Sequence, residues 1–235
     1  MGHYSLADHI FVCVNDEHVV LLDLKQDRYW ALEADKTAPL VGLVPGWPVS
    51  CARGEIQPEE AQEVAAALLD QGILAGDAAG KDATPVAIAP PARELLSDHE
   101  YERAPLRPGT VLKFVSAALA AKIALRWAPF EKVVRNFGAR KRSGSAAAQT
   151  LDVERARGLV ATFFRLRIFV FSSKNECLFN SLALLGFLAR HGVYADWVFG
   201  VQARPFAAHC WVQKDEIVFN DTVEHVSGYT PIMAA

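Results

Sequence analysis

A chain of 235 residues that is 51% hydrophobic can bury one large core or two small ones. Its formal net charge of −3 excludes a general electrostatic attraction to nucleic acid or anionic surfaces. Four cysteines, Cys13, Cys51, Cys177 and Cys210, form no CxxC pair, which argues against a zinc knuckle and for thiols in a reducing compartment. The opening MGHYSLADHI lacks the basic region and apolar run of a signal peptide. The apolar stretch Phe114–Ala121 is far short of a membrane span. A soluble, cytoplasmic protein without stable membrane insertion is expected.

Three zones follow one another. Residues 1–78 open with strand-like segments at His9–Val14, His18–Leu24 and Arg28–Leu32, separated by polar turn formers at Asn15-Asp16 and Lys25–Asp27. Asp35 is placed to cap one short helix. Gln57-Pro58-Glu59-Glu60 opens another, with Val64, Leu68 and Leu69 at helical spacing and Gly72 as its stop. Three strands with short helices predict a small winged-helix-like module. Residues 79–108, rich in Ala, Pro, Gly and Asp, read as a linker. In residues 109–235, Val111–Phe137 reads as helix interrupted at Pro129, Ala139–Ser145 as a mobile basic loop, and Leu151–Val170 as a further helix beginning near Asp152. The basic residues among the apolar ones of Val111–Phe137 read first as a solvated helix face, with a membrane-surface or nucleic-acid role as the second reading.

The segment SSKNECLFNSLALLGFLARHG carries the first chemical signal. From Cys177 the apolar residues Leu178, Leu182, Leu185 and Leu188 recur at helical spacing, and Gly192 ends the run. Ser172, Ser173 and Asn175 precede it as cap formers. Cys177 is therefore expected in the first turn of a buried helix. There the unpaired N–H groups and the helix dipole favour a thiolate.

Three strand-like segments follow, Tyr194–Val201, Ala207–Gln213 and Glu216–Asn220. Cys on a helix, His on a strand and Asp on the next strand is the layout of papain-like nucleophilic sites. Alternation puts His209 and Trp211 on one face and Cys210 on the other, so Cys210 reads as a packing cysteine. A turn over Lys214-Asp215-Glu216 sets His209 opposite Asp221, whereas a two-residue turn slips the register and offers Asn220 instead. His191 sits at a helix C-terminus, where a cation is favourable without catalysis. A metal site from His209, Asp221 and His225 fits no common zinc spacing, and none is expected.

With CLFNSLALLGFLARHGVYADWVFGV, then FAAHCWV and VFNDT, the chain resembles the lasso peptide B proteins over roughly Val153–Pro231. These are bacterial leader peptidases of the transglutaminase-like, papain-related superfamily. The resemblance implies catalytic roles for Cys177, His209 and Asp221. The segment HVVLLDLKQDRYWALEAD resembles the PqqD-like precursor-recognition element of ribosomal peptide pathways. That resemblance implies leader binding as an added strand on a sheet edge, with Tyr29, Trp30 and Leu32 as contacts. The expected fold is thus α+β, a winged-helix-like recognition module followed by a transglutaminase-like, papain-like cysteine peptidase domain.

The expected reaction is amide hydrolysis through a thioester, with the Cys177 backbone N–H as one oxyanion donor and Asn175 as a candidate neighbour. The resemblance implies a precursor peptide as substrate and a separate ATP-dependent, asparagine-synthetase-like cyclase as partner. No phosphate-binding Gly-rich loop occurs, and no cofactor or nucleic acid is expected. Two other readings remain open: a thioester-forming acyltransferase of transglutaminase type, and a non-catalytic scaffold that presents the precursor.

Overall fold

A computed structural model describes residues 4–48, 58–76, 80–96, 100–145, 151–168 and 177–235. Two compact units can be distinguished: one takes residues up to Ala87 with 200–208 and 230–233, and the other takes the remainder.

In the first unit, β1 (Tyr4–Leu6) is followed by a three-stranded antiparallel meander of β2 (Ile10–Asn15), β3 (His18–Asp23) and β4 (Arg28–Glu33). The hydrophobic runs and polar breaks predicted these strands closely. Asp16 and Asp27 take the left-handed conformation at the two turns, with φ of 54° and 51°, a role short polar side chains tolerate. The central strand β3 does not alternate: Val19, Val20, Leu21 and Leu22 are all fully buried, as expected of a strand covered on both faces. Buried Asp23 accepts the backbone N–H of Lys25 at 2.8 Å and of Gln26 at 3.0 Å, which satisfies its carboxylate within the turn.

Helix α1 (Ala34–Thr37) starts one residue before Asp35, so Asp35 lies in its first turn and does not cap it. Helix α2 (Pro58–Asp70) ends at Gly72, whose φ of +70° suits glycine, and leads to β5 (Leu74–Gly76) paired with β1. Ile10, Val12, Leu21, Leu40, Trp47, Leu68 and Leu74 make the core. Trp30 and Leu32 of the sheet edge β4 pack against it from partly buried positions. Tyr29, the residue before Trp30, packs edge-to-face with Phe206 at 5.6 Å between centroids. Asn15 accepts the N–H of Ala203 at 2.8 Å and donates to Thr230 Oγ1 at 2.7 Å.

The stretch expected as a linker, 79–108, is structured wherever it is described. Lys81 bridges to Leu6, Ala83 and Leu95 are buried, β6 (Arg93–Glu94) joins a sheet, and Glu100–Arg103 form a 3-10 turn. Residues 79 and 97–99 lie outside the described residues. A Pro- and Ala-rich segment is already extended, so it pairs with an available strand edge at small entropic cost.

The second unit has four long helices: α3 (Pro108–Trp127), α4 (Phe130–Ser145), α5 (Val153–Arg167) and α6 (Cys177–Ala189). Pro129 breaks α3 from α4 as expected. The expected mobile loop Ala139–Ser145 is instead the end of α4, anchored by Lys141, which pairs with Asp196 and donates to the Ala235 carbonyl at 3.0 Å. Asp152 caps α5 by accepting Arg155 N–H at 3.0 Å. The five-stranded sheet runs β10 (Thr230–Ala234), β7 (Asp196–Gln202), β8 (Ala207–Lys214), β9 (Ile217–Val218), β6, and α7 (Val223–Ser227) lies between β9 and β10 in the chain. The strand β10 and helix α7 carried no signal that the sequence reading used.

Helices α3 and α6 approach closely because small residues meet: Phe114, Ala117, Ala118 and Ala121 form the buried face of α3, and Gly186 of α6 faces Ala117. Phe187 packs with Phe163 at 5.9 Å and Phe114 at 6.3 Å between centroids. Truncating fully buried Phe187 to Ala removes this aromatic junction and should cost about 3–5 kcal/mol in urea unfolding. Leu119→Ala, on the exposed side of α3, should stay within about 0.5 kcal/mol of the parent.

Candidate active site

Cys177 is the first residue of α6, half-buried, with the orphan N–H groups of the helix start around it. Ser172, Ser173 and Asn175, expected as caps or oxyanion neighbours, lie outside the described residues. The other end of α6 closes as predicted: Gly192 has φ +74° and Val193 N–H reaches back to the Leu188 carbonyl at 3.0 Å.

The hairpin from β8 to β9 corrects the expected register. The turn has two residues, Asp215 and Glu216, with Asp215 left-handed at φ 52°, and Gln213 pairs with Val218. Continued as a ladder, this register does not set His209 opposite Asp221. The ladder continues by one bond only, from Phe219 N–H to the Val212 carbonyl at 2.8 Å. Val212 N–H donates to the side-chain oxygen of Asn220 at 2.7 Å in place of a backbone carbonyl, and the chain turns away. Asp221 is carried to His209 by that departure: His209 Nε2 and Asp221 Oδ2 are 2.6 Å apart. Asn220, the alternative orienting residue, fixes the turn instead.

Asn220 also donates to Ser181 Oγ at 3.0 Å. Ser181 lies one helical turn after Cys177, is fully buried, and donates to the Cys210 carbonyl at 3.3 Å. Buried Gln213 accepts from Trp211 Nε1 at 2.8 Å and donates to the Ala89 and Asp215 carbonyls at 2.7 Å each. Glu94 accepts Val223 N–H at 2.9 Å at the start of α7, the helix that carries His225. Ser181, Gln213 and Glu94 went unnoticed in the sequence, and Asn220 was weighed there only as a partner for His209. The signal for Ser181 and Gln213 was polar type within an apolar helix and an apolar strand.

Asp221 accepts from three sides. Besides His209, its Oδ1 meets His225 Nδ1 at 2.9 Å and Thr222 N–H at 2.8 Å. Burial alone raises a carboxylate, but these bonds outweigh it and hold Asp221 below its ordinary pKa. The His209 ring lies 4.7 Å from His225, 5.2 Å from Tyr229 and 6.1 Å from Trp211, centroid to centroid.

Since Nε2 of His209 is held by Asp221, Nδ1 is left for Cys177, with which His209 also hydrogen-bonds. Burial would lower the imidazole, yet the Asp221 and Cys177 bonds raise it to about 9. Cys177 moves the opposite way, to about 4, through a bond from the Cys210 thiol first, opposed by burial, with His209 and Cys210 N–H adding to the stabilisation. The pair therefore rests as thiolate and imidazolium.

Cys210 thus touches Cys177, contrary to its expected place as a packing cysteine turned away from the site. Alternation does point it off the His209 face, but α6 lies on that side and its first residue reaches the strand. Cys210 itself is pushed well above a free thiol by the bond to Cys177 and by burial. Cys13 is raised to about 12 by burial, and Cys51 lies outside the described residues.

His209, Asp221 and His225 offer ligand atoms within 4.8 Å of one another. Their 2.6 and 2.9 Å separations are hydrogen-bond lengths, with one carboxylate serving two imidazoles. A cavity of about 280 Å³ adjoins Asp221, lined by Glu94, Tyr101, Phe164, Asn220 and Thr222 among others.

A helix-borne Cys, a strand His and an Asp beyond the hairpin turn is the arrangement of papain-related nucleophilic sites. The chain belongs to the transglutaminase-like superfamily, which it matches over residues 115–234. That superfamily includes cysteine peptidases and acyltransferases, and its members are typically cysteine-type enzymes. Comparison with curated proteins and with solved structures gave no match.

Iodoacetamide alkylation read by peptide mass mapping tests the charge state. Cys177 should react as thiolate through the neutral range and lose reactivity as pH falls through about 4, while Cys13 stays unreactive until about 12. In Asp221→Asn, His209 loses its raising partner, and the Cys177 inflection should move upward.

Proposed function

We propose that this protein is a cysteine peptidase that removes the leader from a ribosomally made lasso peptide precursor. The observation that carries the reading is the placement of Cys177 at the start of α6, hydrogen-bonded to His209, with Asp221 2.6 Å from the imidazole, an arrangement that lowers the thiol and raises the imidazole. The Cys177 thiolate attacks the scissile carbonyl and forms a tetrahedral oxyanion near the Cys177 N–H. Its collapse breaks the C–N bond, and His209 gives its proton to the departing amine. Water then hydrolyses the thioester, releasing the leader as a carboxylate. The core peptide leaves with a free α-amine, ready for a separate ATP-dependent cyclase.

The first unit supports a peptide substrate. β4 is an edge of its three-stranded sheet, and an extended leader adds there as a further strand, in the manner of a PqqD-like, winged-helix recognition module. Tyr29 is the outward aromatic contact beside Phe206, whereas Trp30 and Leu32 support the edge from the core side. The division intended is recognition in residues 1–78 and chemistry in 109–235, with residues 79–108 serving the sheet between them in sequence.

Mass spectrometry of a co-expressed precursor tests the reading. The parent should yield cleaved core with a free amine, and Cys177→Ala should yield intact precursor. Cys210→Ala should still cleave, but about ten-fold more slowly or worse, because the thiolate loses a charge-assisted donor. An amide adduct formed with added amine, in place of the free leader acid, would assign acyl transfer instead.

A further inference from the structure

Helix α3 has two apolar faces. Phe114, Ala117, Ala118 and Ala121 are buried, and at 100° per residue they centre on one side of the helix. The opposite side carries Leu112, Val115, Leu119, Ile123 and Trp127, which are 71%, 49%, 57%, 52% and 77% exposed. A surface helix normally turns polar residues to water, so a continuous outer apolar stripe marks an interaction surface. Length and mean hydropathy, 1.4, would let α3 cross a membrane, but its inner face is occupied by packing within its own unit.

The charges identify the occupant. Between Arg107 and Arg142 the chain has nine Lys and Arg residues and one acidic residue, Glu131, although its net charge is −3. Lys113 and Lys122 flank the stripe on its two sides by helical geometry. Arg126 lies within it and stacks its guanidinium 5.0 Å from the Trp127 ring centroid. Lysines beside an apolar stripe extend their stems over it and hold their ammonium groups at the phosphate level. A tryptophan at one end suits the headgroup region. A second copy of this chain is a poor occupant, because a two-fold contact here sets the same basic residues against each other.

We propose that the outer face of α3 lies in the plane of an anionic lipid bilayer, holding the protein peripherally at the membrane surface. Apolar burial by the stripe supplies one part of the attraction, and the basic flanks supply a salt-sensitive part.

Sedimentation of the full chain with vesicles tests this. The parent should pellet with vesicles of equal phosphatidylcholine and phosphatidylglycerol, weakly with phosphatidylcholine alone, and less as salt rises. Leu119→Glu with Ile123→Glu should lower partitioning at least about ten-fold. Lys113→Gln and Lys122→Gln should each lower it about five-fold at low salt only. Circular dichroism should match the parent throughout, and the lysine variants keep the test decisive if the double variant fails to fold. Absence of pelleting with both vesicle types, or binding that ignores all these substitutions, overturns the proposal. So does light scattering that finds a dimer in the parent and a monomer in Leu119→Glu.

Discussion

Burying α6 against β8 sets Cys177 beside the imidazole of His209 and the thiol and N–H of Cys210 at once. The site depends on that contact being held closely, since a hydrogen bond to sulfur weakens steeply with misplacement. Two features hold it. On one side, Gly186 and the alanines of α3 let α6 settle inward. On the other, Ser181 ties the second turn of α6 to the Cys210 carbonyl and to Asn220. Asn220 in turn caps Val212 and bends the chain so that Asp221 reaches His209. One asparagine therefore links the position of the sulfur to the orientation of the imidazole.

Two adjacent thiols, chemically the same, end in opposite states. Cys177 is half-exposed, starts a helix and faces an imidazolium, so it holds the charge. Cys210 is buried in mid-strand and serves as donor, so its proton is retained. A single negative charge shared by two close sulfurs settles on the better solvated one, and the other stabilises it. The same logic applies to Asp221. It is ionised despite burial because two imidazoles and a backbone N–H point at it. Charge in this site is thus fixed by directed donors, and it alternates in sign from Cys177 to His209 to Asp221.

Much of this was legible in the sequence, where a local rule and the tertiary context agree. The meander β2–β4, the break at Pro129, the cap at Asp152 and the stop at Gly192 all follow from short-range patterns. The triad candidates were found by residue type on successive elements. Their register was not, because the turn proved one residue shorter and a side chain, Asn220, replaced a backbone partner. Which face of β8 the helix covers is a long-range fact, so the contact between Cys210 and Cys177 was invisible. The contacts made within segment 79–108 are hidden for a related reason: composition reports how easily a chain bends, not whether a strand edge awaits it.

Net charge conceals the most unusual surface of the molecule. Among the described residues, the basic run from Arg107 to Arg142 meets Glu131 on Arg135 and Asp196 on Lys141. Arg140 lies near enough to Arg190 to help lower its pKa, after burial, so like charges there are held together at some cost to stability. Water solvates such a cluster but does not reward its lying beside Leu112, Leu119 and Ile123. An anionic, amphiphilic surface rewards both. The opposite face of α3 seats the helix that begins at Cys177, so whatever covers the outer face bears on the element against which the nucleophile's helix is packed.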